Sequence, residues 1–153
     1  MQEWEEGYYI SAVAGSARGS ALVVMSKGTQ YTLQSYKVSD SFPFKWINKK
    51  WKEGFYVTSM ATAGGRWAVV MSRNAGFIDQ CVELDFLYPS EGIHFRWDAN
   101  YRITCCAATP AQAAFVLSVP RRRPIDETQE TLRTSAFPST HVKVSVQMNS
   151  KTC

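Results

Sequence analysis

Two basic clusters hold the side chains of this sequence best suited to chemistry. The segment KWINKKWK at 45–52 interleaves Lys45, Lys49, Lys50 and Lys52 with Trp46 and Trp51. Lysines neutralise phosphates and indole rings stack on bases, so this composition suits a nucleic-acid strand. PRRRP at 120–124 holds Arg121, Arg122 and Arg123 between two prolines, a stiff charged loop fitted to an acidic partner or to nuclear import. The net charge of +4 permits such partners without demanding one.

Other candidates reduce to simpler readings. Cys105 and Cys106 are adjacent, and neighbours on a strand point to opposite faces, so the pair does not converge on one zinc. His94 and His141 are the only histidines, and neither has a carboxylate or thiol at ligand spacing. Glu83 and Asp85 share a strand face and read as a solvated row. GSARGS at 15–20 lacks the spacing and the lysine of a phosphate loop, and Ala17 stands where a nucleophile elbow needs serine, so it reads as a hairpin turn. No catalytic residue, cofactor or metal is expected.

The elements that must carry these residues are repetitive. The sequence VVMS occurs at 23–26 and again at 69–72, and setting the copies in register aligns their surroundings. Three units emerge: WEEGYYISAVAGSARGSALVVMSK from Trp4, WKEGFYVTSMATAGGRWAVVMSR from Trp51 and WDANYRITCCAATPAQAAFVLSV from Trp97. Gly7, Gly54 and Asn100 correspond, as do Ile10, Val57 and Ile103, and Ser11, Thr58 and Thr104. Each unit closes on an aromatic residue followed by Pro43, Pro89 or Pro138, and Trp51 and Trp97 each follow such a proline by eight residues. Recurrence at one period marks an internal structural repeat.

Within a unit the pattern is β. YYISAV, ALVVMS and QSYKVS are short, rich in β-branched and aromatic residues, and separated by turn residues. Val82, Leu84 and Phe86 alternate with Glu83 and Asp85. Counting the tryptophan segments KWINKKW and IHFRW as strands predicts about four per unit, the size of a β-propeller blade. The best helix candidate is DETQETLR at 126–133. The expected fold is all-β: three tandem four-stranded antiparallel units, about 4–50, 51–96 and 97–143, forming an open arc, because three blades do not close a ring. By the same spacing a tryptophan is due at Val146. The repeat grammar breaks near Lys143, so 144–153 is expected to be a divergent, disordered tail from an alternative end or a gene-model read-through.

A chain of 153 residues, 45% hydrophobic, fits one domain with a real core. It has no apolar run long enough for a membrane span and no signal-peptide pattern at its start. The expected location is intracellular, without membrane contact and with reduced cysteines.

Over about residues 2–143 the sequence resembles the C-terminal, non-catalytic region of plant casein kinase I-like serine/threonine kinases. The resemblance rests on SYKVSDSFPFKWINKKWKEGFYVTSMATAGGRWAVVMSRNAGF, QCVELDFLYPSEGIHFRW and DETQETLRTSAFPSTHVK. It implies a nuclear location and a module lying behind a kinase domain. The glycine-rich loop, the HRD-type loop and the DFG site of a kinase are absent from this sequence, so activity does not carry over. The expected function is a non-catalytic protein-interaction scaffold that helps select substrate or partner. The alternatives are a kinase-family fragment lacking catalytic residues and a basic β module that binds nucleic acid. A protein partner is expected ahead of nucleic acid, with self-association through open sheet edges.

Overall fold

The computed structural model describes residues 2–86 and 90–150. Eight strands form three antiparallel sheets, and no barrel closes among the described residues. The first sheet pairs β1 (Tyr9–Gly15) with β2 (Ala21–Ser26) across the GSARGS hairpin, where Gly19 supplies the positive φ of the turn. The second sheet contains β3 (Gln34–Ser39), β4 (Tyr56–Ala63) and β5 (Arg66–Ser72) in the order β3-β5-β4. The third contains β6 (Phe77–Asp85), β7 (Arg102–Ala108) and β8 (Ala113–Pro120) in the order β6-β8-β7. The two VVMS copies and their FVLS counterpart lie on β2, β5 and β8.

A sheet is not a sequence unit. β3 belongs by sequence to the first repeat but pairs with β5 of the second, and β6 of the second repeat pairs with β8 of the third. The registers match: Gln34 lies opposite Ser72, and Gln80 lies opposite Ser118. Each three-stranded sheet therefore runs outer strand, helix, inner strand, middle strand, and the chain then crosses to the outer edge of the next sheet.

The tryptophan segments correct the expectation of four strands per unit. They form helices: α1 (Gln2–Glu5), α2 (Phe44–Lys52) and α3 (Ser90–Asp98), with α4 (Ser139–Ser150) after the third repeat. The sheets among the described residues have two or three strands. The helices begin where the aromatic–proline pairs stand: Ile47 N–H donates to the Pro43 carbonyl, and Val142 N–H to that of Pro138. Proline lacks the N–H that a helix start leaves unpaired anyway. Pro89 lies outside the described residues.

The helices end on the repeated glycine position. Gly54 N–H donates to the Trp51 carbonyl and Phe55 N–H reaches back to Lys50, a closure repeated by Gly7 and Tyr8 and by Asn100 and Tyr101. These bonds require a left-handed residue after the last turn. Gly7, Gly54 and Asn100 supply it, with φ of 85°, 86° and 72°. The segment at 126–133 is neither helix nor strand, and residues 144–150, expected as a disordered tail, continue α4.

The core lies between the second and third sheets under α2. Ile47, Val57, Trp67, Val69, Met71 and Val116 are buried, with Trp46, Trp51, Val82 and Leu84 packed against them. The Phe42 ring stands edge-on to Trp67, 5.2 Å between centroids, a favoured aromatic geometry. Neighbouring sheets meet along β1, β4 and β7. A Cβ at Gly15 would stand 2.0 Å from the Thr62 carbonyl oxygen, and Thr62 Oγ1 donates to the Ala108 carbonyl at the next junction.

Gly54→Ala should cost about 1 kcal/mol, because a Cβ is penalised at positive φ, while Asn100→Gly should leave stability equal or higher. The midpoints of urea unfolding check both.

Candidate functional site

Three glutamines, none of which stands out by type in the sequence, clamp one strand of each repeat, and two of them also join that repeat to the next. Gln80 lies within β6 opposite Ser118 and is buried, at 6% exposure. Its Oε1 accepts from Val57 N–H (2.7 Å) and from the Trp51 indole (3.0 Å). Its Nε2 donates to the Val57 carbonyl (3.0 Å) and to Ser118 Oγ (2.9 Å). A primary amide has two donors and two acceptor lone pairs, so Gln80 is saturated. Val57 belongs to β4 of one sheet and Ser118 to β8 of the next. One side chain thus ties two sheets together.

Gln34 and Gln129 repeat the arrangement. Gln34 holds both backbone groups of Ile10 and donates to Ser72 Oγ (3.0 Å). Gln129 holds both backbone groups of Ile103 and accepts from the Trp97 indole (3.0 Å). Bulges in the first strands make this clamp geometry possible. The register of β1, β4 and β7 slips at Ser11, Thr58 and Thr104, just after the clamped residue. An extra residue bends a strand and re-aims its groups. Each bulged hydroxyl then meets the serine of the middle strand: Ser11 with Ser26, Thr58 with Ser72 and Thr104 with Ser118, all at 2.8 Å.

A second clasp lies beside each clamp. Tyr9 Oη donates to the Thr32 carbonyl, Tyr56 Oη to that of Ile78, and Arg102 Nε to that of Glu127. In every case the acceptor stands two residues before the glutamine. The third repeat substitutes a guanidinium for a phenol and keeps the contact.

The residues singled out from sequence divide between surface and joint. Lys45, Lys49 and Lys52 are exposed on α2, and half-buried Lys50 pairs with Glu53 at 3.0 Å and lies over the Phe55 ring. Trp46 and Trp51 pack inward on the core, and the Trp51 N–H is committed to Gln80, so the indoles do not form a stacking platform beside the lysines. Trp4 lies edge-on to Tyr36, and Trp97 is held by Gln129. Arg121 and Arg122 are exposed, whereas Arg123 bonds the Glu127 carboxylate and Asn100 Oδ1. The lysines and arginines form no site with the clamp residues.

No nucleophile is primed within the repeat. Ser72 and Ser118 are fully buried and bonded to neighbouring amide and hydroxyl groups. Burial pushes the Cys105 thiol up to about 12, which keeps it protonated. Glu83, read as solvated, instead pairs with Arg96 at 3.0 Å. The Tyr101 hydroxyl donates to the Asp79 carboxylate, and that bond raises it to about 12. Among the described residues no helix is long and apolar enough to cross a membrane.

Comparison with known proteins places these repeats in context. The family described as a domain of unknown function, DUF7477, matches residues 1–151. The chain is 76% identical over 143 residues to the casein kinase 1-like protein HD16 of Oryza sativa subsp. japonica. That match covers 94% of this chain and 20% of the rice protein, so the chain spans about a fifth of its relative's length. No solved structure matches.

Gln80→Ala should destabilise the chain by about 3 kcal/mol, since it strands buried donors and acceptors in both sheets. Gln129→Ala, at a half-buried site, should cost less; urea unfolding measures both. Alkylation of the native chain at pH 8, mapped by mass spectrometry, should modify exposed Cys106 well before Cys105.

Proposed function

The chain belongs to the DUF7477 family, and we propose that it is a non-catalytic protein-interaction module that selects partners or substrates for a casein kinase 1-like enzyme. One observation carries this reading. The polar side chains that recur in the units are consumed in joining sheets, as saturated Gln80 shows, while apolar side chains are left on the surface. Tyr36 and Val38, two apart on one face of β3, are exposed apolar side chains, and Leu33 just before the strand is exposed as well. Such a surface on a rigid scaffold suits a protein partner. The similarity to the rice casein kinase 1-like protein supports a place beside a kinase domain.

Exposed Arg121 and Arg122 add contacts for an acidic segment of the partner or for nuclear import, and a nuclear location belongs to the same reading. A nucleic-acid module is disfavoured by the inward turn of Trp46 and Trp51.

The test compares the full rice relative with a version lacking the segment that matches this chain. Deletion should raise KM for its protein substrate severalfold and leave phosphorylation of a short peptide unchanged. Equal loss on both substrates, or phosphotransfer by this chain alone, would overturn the proposal.

A further inference from the structure

The same strand is treated differently in the three repeats. Val70 on β5 and Val116 on β8 are 2% and 0% exposed, while their counterpart Val24 on β2 is 45% exposed. Among the described residues β2 lacks two neighbours, a sheet packed on its face like the one that covers Val116 in the core, and an outer strand. β3 covers β5 and β6 covers β8, but β2 pairs with β1 alone among the described residues. At the other end, residues 129–134 stand where β3 and β6 stand in the preceding repeats. The glutamine precedes the repeat proline by nine residues in all three cases: Gln34 and Pro43, Gln80 and Pro89, Gln129 and Pro138. Residues 130–134 are exposed and belong to no sheet.

The hydrogen bonds are complementary in the same way. Gln34 and Gln80 each give one Nε2 proton to the serine of the next repeat, at 3.0 and 2.9 Å. Gln129 makes the other clamp bonds but none to such a serine among the described residues. Ser26 bonds Ser11 and receives no glutamine among the described residues.

We propose that copies of this chain associate head to tail, residues 129–134 of one copy adding as the outer antiparallel strand to β2 of the next. The register of β3 on β5 sets Gln129 opposite Ser26 and Leu132 opposite Val23. Gln129 then clamps Ile103 of its own chain and Ser26 of the neighbour, as Gln80 clamps Val57 and Ser118 within one chain. The new junction repeats the two internal ones. Because the two surfaces differ, the contact is heterologous, and it continues until a ring closes or a filament grows.

The two ends are blocked separately. Val24→Lys places a charge on the exposed edge, and Leu132→Pro removes a ladder donor from the incoming segment, at a side chain 52% exposed in the monomer. Sedimentation of the parent chain should show mass rising with concentration above 17.2 kDa. Each variant alone should stay monomeric with an unfolding midpoint near the parent's. Mixed one to one, they should form a dimer and stop there, since each keeps one working end. A parent chain monomeric at all concentrations, a blocked variant that still self-associates, or a mixture that stays monomeric would each overturn the proposal.

Discussion

One carboxamide at each junction holds this fold together. A strand edge leaves backbone N–H and C=O groups that must find partners when buried. In each repeat the first strand presents one residue's pair of such groups to a glutamine side chain, which answers both with its own amide. The second amide proton continues to a serine of the next repeat at both junctions between sheets. A buried network of this kind is stabilising only when complete, because a stranded amide in a low-dielectric setting is costly. The bulges, the paired hydroxyls and the indole N–H groups all serve that completeness.

The consequence is a chain of sheets built by handing strands forward. β3 and β6 leave the repeat that encodes them and complete the following sheet. Each repeat then depends on its neighbour for an edge, which couples the second and third sheets into one core while the first sheet stays largely exposed. The surface features on which the proposed partner binding rests lie on this frame: exposed Tyr36 and Val38 on β3, the lysines of α2 and the arginines after β8. The kinase similarity and the proposed interaction role are both compatible with this geometry.

Much of this was legible in the sequence. The period, the strands around VVMS, the hairpin at 15–20 and the open all-β class followed from alternation and turn residues. The helices were missed because KWINKKW is dense in tryptophan and lysine and sits among strands. The signal lay in its punctuation: proline before the first turn and glycine three residues after the tryptophan, a helix start and a left-handed stop. The glutamines were missed for a different reason. A glutamine in a short strand looks like any surface residue, and its weight comes from pairing with a serine 38 positions away. Gln34, Gln80 and Gln129 each precede the repeat proline by nine residues, so the recurrence was there to be read. What periodicity withholds is which sheet a strand joins, since forward exchange and self-contained blades share one sequence pattern.

Amide hydrogen exchange on the native chain and on Gln80→Ala tests the joint most directly. The joint predicts slow exchange at Val57 N–H in the parent. In the variant, exchange should accelerate at Val57 on β4 and around Ser118 on β8 together, while β1 and β2 keep their rates. Acceleration confined to β6, or unchanged protection at Val57, would contradict the claim that this amide joins the sheets.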